Sequence, residues 1–437
     1  MLNSTEKLIN LISKSPNAFF ATNSIKDTLF ADGFTELKES DSWDIKAGGK
    51  YFVTRNNSSI IAFNLPKDLT DYHFQIAASH SDSPCFRIKE NSEISVNDKY
   101  IKLNTEGYGG MLCSTWFDRP LSVAGRVIVS EDGILKSVLV DLKEDTLVIP
   151  SLAIHMNRKA NEEQSYNKQI DMLPLFGDSE CKKNDFAKAI AKKISVKAED
   201  IISTELYIYN NQTPSVWGSN KEFISAPRLD DLECAFASLE GFIGSAPKKC
   251  INVYACFDNE EVGSLTKQGA SSTFLRDTLR RVNNCLNKTK EEYYIALSKS
   301  FMLSCDNAHA VHPNHPEKTD QNNCTYINEG VVIKNHSGQK YTTDALSMAI
   351  AKELCNKAAA PYQIFFNRSD EAGGSTLGNI SMNQVSIACA DIGLPQLAMH
   401  SAYETAGVKD YEYMINLLET LYSVNISYSP DGRVSFE

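Results

Sequence analysis

The sequence predicts an α/β protein whose mainly parallel sheet is interrupted by a second, β-rich domain. From about 225 onward, strand-like and helix-like periods alternate, the pattern of a parallel sheet with crossover helices. The apolar strand Phe74–Ala78 stands far upstream of the next clear member of that series, Ile251–Phe257, so a long insertion separates them. The stretch between, roughly 91–224, is rich in short strand signals. The expected organisation is a discontinuous main domain, 1–90 with 225–437, and an inserted domain, 91–224.

Each element has its own signal. Within the insertion, Ser122–Ser130 and Ser137–Val140 read as strands and Asp185–Ile194 as a helix. Asn210–Asn220, punctuated by Asn, Pro, Gly and Ser, reads as a loop. Downstream, Ile251–Phe257, Phe301–Cys305, Tyr362–Asn367 and Val385–Ala390 read as buried strands. Phe274–Leu286, Asp344–Lys357 and Tyr411–Ser423 carry apolar residues at three- and four-residue spacing and read as helices.

Composition bounds the function. The 437 residues exceed one ordinary core, and 42% hydrophobic with 23% charged residues excludes general disorder. Forty-four basic against fifty-five acidic residues, a net charge of −11, argues against a nucleic-acid or anionic-membrane partner. The start lacks a basic segment followed by an apolar one, and no run is long enough to span a membrane, so a cytoplasmic location is expected. Eleven cysteines without a CxxC pair read as reduced thiols, mostly small core residues.

The chemistry-bearing residues cluster at the ends of apolar segments. His80 follows the Phe74–Ala78 strand, and Asp82 lies two residues on, where it can fix the imidazole's tautomer. Acidic groups recur in Arg228–Leu232, in Phe257–Ser264 and at Asp306, and His400 lies in Pro395–Ser401. Loops beyond the carboxyl ends of strands in an open α/β sheet converge on one crevice. Two histidines and three carboxylates suit a pair of zinc-like ions. The pair Glu260-Glu261 is ordinarily a solvated turn. Directly after so apolar a strand, one of its carboxylates could bind metal while its neighbour takes a proton from water, the arrangement of a hydrolase. His309 and His312 form a further cluster, but Pro313 and Pro316 break any helix that would align them, and a structural or surface role is the alternative.

These segments, together with Ser15–Phe19, Thr54–Asn56, Ser79–Lys89, Thr115–Arg119, Ile149–Arg158, Asp306–Asn314, Gly374–Gly378 and Gly393–Ser401, resemble the aspartyl aminopeptidase and vacuolar aminopeptidase I family of metallopeptidases. The likeness covers most of the chain. It implies a zinc-exopeptidase catalytic domain with an inserted dimerisation domain, and two Zn²⁺ per subunit at sites whose ligand chemistry also accepts Mn²⁺ or Co²⁺. By motif match Asp230 bridges the metals, His80 and Asp306 complete one site, and Glu261 and His400 the other. Glu260 is the general base, Asp82 the partner of His80, and the Asp230–Asp231 peptide is cis.

The same resemblance places Lys334 and Tyr341 at the pocket for the first substrate side chain, which favours Asp or Glu there. It puts His309 and His312 beside the site, although the family's Lys-His-Glu element appears here as Lys318-Thr319-Asp320. It makes His155 a residue that reaches into a partner subunit's site, in dimers that assemble into a tetrahedral dodecamer. The expected substrates are peptides with a free N-terminus. The rivals are a neutral-residue aminopeptidase of the same family, a catalytically silent assembly or cargo-binding shell, and a metal-dependent enzyme removing an acyl group from an amino acid.

Overall fold

The computed structural model describes residues 3–428 and 433–437. A nine-stranded sheet runs in the spatial order Thr35–Leu37, Lys50–Arg55, Ser59–Asn64, Ile251–Phe257, Phe74–His80, Phe301–Cys305, Ala388–Gly393, Val331–Asn335 and Tyr362–Phe366. Its centre is parallel: Ile251–Phe257, Phe74–His80, Phe301–Cys305 and Ala388–Gly393 all point the same way. Antiparallel pairs flank this centre on both sides.

Alternation explains why these strands read as continuous apolar runs. In Ile251–Phe257, Tyr254 and Cys256 enter the core on one face, while Ile251, Val253, Ala255 and Phe257 enter the core on the other. Both faces are covered, so neither register can be polar. On the first face Leu229–Gly244 packs against Val408–Ser423. Gly241 permits the close crossing, since a Cβ there would lie 2.7 Å from Leu418 Cβ. The second face is covered by Phe274–Cys285, whose Phe274, Leu275, Leu279 and Val282 are buried.

Residues 85–210 hold a second, six-stranded antiparallel sheet, in the order Ile134–Asp141, Leu121–Glu131, Ile201–Asn210, Cys85–Val96, Tyr100–Tyr108 and Leu175–Asp178. With the helix Asp185–Lys193 it closes its own core around Phe86, Val123, Leu206 and Ile208. Tyr108, at the end of its strand, therefore belongs to this sheet.

Two expectations shift. The tract expected as a loop, Asn210–Asn220, contains the short strand Ser215–Trp217, which pairs with Phe223–Ala226 in a third sheet that also takes in Glu404–Gly407. Local polar composition hides a three-residue strand held by its hairpin partner Phe223–Ala226, which in turn pairs with Glu404–Gly407. The strand expected at Val385–Ala390 is Ala388–Gly393; Val385 is buried in the preceding turn, so its apolar character reports burial rather than extension. All eleven cysteines are unpaired. Among the described residues no helix is long and apolar enough to cross a membrane.

Candidate metal centre

Three neighbouring parallel strands deliver side chains to one edge of the nine-stranded sheet. His80 is the last residue of Phe74–His80, Asp306 follows Phe301–Cys305, and Glu260 and Glu261 form a single helical turn after Ile251–Phe257. Asp230 lies at the start of Leu229–Gly244, where the Asp230–Asp231 peptide is cis, and His400 comes from the loop after Pro395–Leu397.

The ligand atoms form two triads that share one carboxylate. His80 Nε2 lies 3.6 Å from Asp230 Oδ1 and 4.0 Å from Asp306 Oδ1. His400 Nε2 lies 3.6 Å from Asp230 Oδ2 and 3.4 Å from Glu261 Oε1. Donors of one tetrahedral zinc, each about 2.0–2.2 Å from the metal, stand about 3.3–3.6 Å apart. The spacing thus suits a cation in each triad, with one Asp230 oxygen facing each. Asp230 Oδ1 is buried without a hydrogen-bond partner, and burial together with Asp306 pushes the Asp230 carboxyl up to about 6, against the pull of His80 and His400. Crowded carboxylates without enough cation are what a divalent ion relieves.

Ligand atoms of Asp230, Asp231 and Asp306 also lie within 4.8 Å of one another. Asp231, however, is turned to the main chain, its Oδ2 accepting the His80 N–H at 3.1 Å.

The supports differ from those the sequence suggested. His80 Nδ1 meets the carbonyl oxygen of Asp82 at 3.0 Å, closer than the Asp82 carboxylate at 3.4 Å. That carboxylate, 3.4 Å from the imidazole, also accepts the backbone N–H groups of Glu260 and Glu261, each at 3.1 Å, and the Tyr108 hydroxyl at 2.7 Å. Glu404, which sequence reasoning missed, is 2% exposed and accepts the N–H of Asp230 at 3.0 Å and of His400 at 2.7 Å. A carboxylate four residues after His400 was its only trace in the sequence. The His400 ring is oriented through Nδ1 by the carbonyl of Gly110, 2.9 Å away.

A cleft of about 200 Å³ opens onto both triads. Glu260 lines it; its carboxylate accepts no hydrogen bond among the described residues, and burial raises its pKa to about 8. Lys334 and Tyr341 lie in the same cleft. A lysine is ordinarily solvent-exposed, yet Lys334 is 2% exposed and its Nζ donates to the carbonyls of Asp306 at 2.8 Å and Asn307 at 3.2 Å. His309 presents a solvent-exposed ring to the cleft, near Lys334 and His400. His312 faces an adjoining hollow that also contains Lys318 and Arg368. His155 is not brought to the centre: it sits on an exposed turn between Ile154 and Met156, the latter 77% exposed.

Comparison with known proteins identifies the family. The family described as aminopeptidase I zinc metalloprotease (M18) matches residues 11–422. A protein of Clostridium novyi named probable M18 family aminopeptidase 2 is 47% identical over 96% of this chain and 98% of its own length. The cryo-EM structure of the Ape4 and Nbr1 complex superposes with a TM-score of 0.92 at 34% identity, covering 96% of this chain and 85% of that one. The S. cerevisiae mApe1 dodecamer superposes with a TM-score of 0.82 at 25% identity, over 96% of both chains. A match across nearly the whole length, on a fold that gathers histidines and carboxylates at the sheet edge, leaves one conclusion: the chain belongs to the M18 family of aminopeptidase I zinc metalloproteases.

Proposed function

We propose that this protein removes the N-terminal residue of peptides, with a preference for Asp or Glu, using two zinc ions and Glu260 as general base. The two triads that share Asp230 carry the reading. His80 and Asp306 would hold one ion, Glu261 and His400 the other, and Asp230 both. Zinc bound there supplies Lewis acidity, polarising the scissile carbonyl and lowering the pKa of water towards about 7.

The chain's own groups do the rest. Glu260 accepts the water proton on a carboxylate oxygen and returns it to the leaving amine; its carboxylate lines the cleft, free for both transfers. Asp82 holds the backbone of the Glu260-Glu261 turn, so base and ligand keep their separate directions. Two of the three Lys334 N–H bonds go to backbone carbonyls; the third, with the Asp306 carboxylate 3.8 Å away and Tyr341 beside it, is left to bond the carboxylate of an acidic first residue. His309 offers the substrate an imidazole at the cleft mouth, and His312 lies where the following residues of a peptide would pass. His155, exposed and remote in its own subunit, would act in a neighbour's site.

We read the insertion as the dimerisation domain and the rest as the catalytic one; the sequence set its bounds at 91–224, but the six-stranded sheet spans 85–210 and residues 215–226 pair with the sheet of Glu404–Gly407, so the bounds move to about 85–210. The fold shared with the mApe1 dodecamer supports dimers assembled into a tetrahedral dodecamer. Eleven unpaired cysteines fit a cytoplasmic protein.

The test is the metal-depleted protein, reloaded with Zn²⁺, Mn²⁺ or Co²⁺ singly and assayed on Asp-, Glu- and Leu-anilides and their N-acetylated forms, alongside Glu260→Gln. Zinc should restore release from free-amine acidic substrates, and the variant should bind zinc but turn over about 10²- to 10⁴-fold more slowly. Faster cleavage of Leu-anilide sinks the acidic preference in favour of a neutral-residue enzyme. Undiminished turnover by the variant sinks the base assignment, and no turnover by any metal form leaves only an assembly shell.

A further inference from the structure

The six-stranded sheet contributes a segment to the catalytic edge that the reaction above does not use. Tyr108, Gly109 and Gly110 follow one another at the end of the strand Tyr100–Tyr108 and touch three parts of the site in turn. The Tyr108 hydroxyl donates to Asp82 Oδ2 at 2.7 Å and accepts from Asn259 Nδ2 at 2.8 Å. Gly109 has a φ of +73°, and a Cβ there would lie 3.2 Å from Glu261 Cβ. The Gly110 carbonyl faces His400 Nδ1 at 2.9 Å.

The hydroxyl ties together the two ends of one turn. On one side Asp82 takes the N–H groups of Glu260 and Glu261. On the other, Asn259 is in a left-handed conformation, φ +63°, immediately before Glu260, and its Oδ1 accepts from Thr266 Oγ1 and Gln268 Nε2, both at 2.7 Å. With Asn259 Oδ1 already occupied and Asp82 acceptor-only, Tyr108 is the group that bonds both the residue preceding Glu260 and the carboxylate gripping Glu260's own N–H. A phenylalanine would fill the same space and break both bonds.

We infer that Tyr108 is a positioning residue for Glu260: its hydroxyl, supplied by the second sheet, sets the direction in which the base carboxylate points. The inference rests on the assignment of Glu260 as base. It requires no contact between Tyr108 and substrate, so the loss should fall on turnover and leave binding of substrate and zinc intact.

The experiment is Tyr108→Phe in the zinc-loaded, full-length protein. Its control is Tyr207→Phe, whose ring packs against Tyr108 at 5.6 Å but whose hydroxyl lies outside this network, 3.4 Å from Glu205. Tyr108→Phe should lower kcat about 10- to 100-fold, the usual effect of losing a supporting hydrogen bond, with KM and zinc per chain unchanged. Amide hydrogen exchange over 258–264 should quicken in the same variant. Tyr207→Phe should match the parent. In a Glu260→Gln background, Tyr108→Phe should add nothing, because the group it positions is gone. A kcat equal to the parent's overturns the inference, as does loss of zinc, which would mean that the hydroxyl serves the ligands. An equal fall in both backgrounds overturns it too, while leaving Glu260 as base. Full activity of Glu260→Gln alone removes the base assignment and this inference with it.

Discussion

Replacing Glu404 by glutamine preserves the side chain's shape and removes one acceptor from the centre. Glu404 Oε2 faces the Asp230 N–H at 3.0 Å and Oε1 the His400 N–H at 2.7 Å, so whichever way the amide is turned, an NH₂ meets an N–H. At 2% exposure the site admits no water to repair the loss. One hydrogen bond to a charged acceptor is worth about 1.5–3 kcal/mol, which converts to about 10- to 150-fold in an equilibrium constant. Burial pushes the Glu404 carboxyl up, but both of its oxygens accept N–H groups, which favours the carboxylate, so the substitution also removes a negative charge beside the cation site. Both bonded N–H groups belong to residues proposed as ligands, so the loss should appear in metal affinity. Dialysis of parent and Glu404→Gln against a series of zinc buffers, with zinc per chain measured by elemental mass spectrometry, reads it directly. Coincident occupancy curves would show that Glu404 only fills space, and the reasoning from its two bonds would fail.

Lys334→Met should lower kcat/KM on Asp-anilide relative to Leu-anilide by about 10- to 100-fold, the loss of one charge-assisted hydrogen bond to substrate; an unchanged ratio would remove Lys334 from specificity. Gly330→Ala should destabilise the fold by at least about 1–3 kcal/mol from backbone conformation alone. Gly330 has a φ of +106°, and an added Cβ would lie 2.1 Å from the Pro361 carbonyl oxygen, beside the strand that carries Lys334. An unaltered urea midpoint would refute that estimate.

The parts of this structure legible in the sequence are those with a local cause. Ile251–Phe257 and Phe301–Cys305 are apolar throughout because both faces of the sheet are covered, and the helix Ala345–Lys357 announces itself by its spacing and its Asp344 cap. The gathering of His80, Asp230, Glu261, Asp306 and His400 was readable through strand ends and family motifs. Glu404 and Tyr108 were not, because each acts by a single hydrogen bond to residues far along the chain, and a lone Glu or Tyr has no periodicity to betray it. Asp82 shows the same limit in milder form: its nearness to His80 in sequence suggested the imidazole, which does lie 3.4 Å from its carboxylate, but not the two backbone N–H groups that folding brings there from 178 and 179 residues away.

The segment Tyr108–Gly110 bears on how far this enzyme could be pared down. A minimal version, with the six-stranded sheet excised and its ends spliced, would retain every side chain that faces the proposed ions. It would nevertheless lose the phenol against which Asp82 rests and the carbonyl against which His400 is turned. The two sheets are therefore not interchangeable modules, and grafting a foreign assembly domain at this point would have to reproduce that tripeptide.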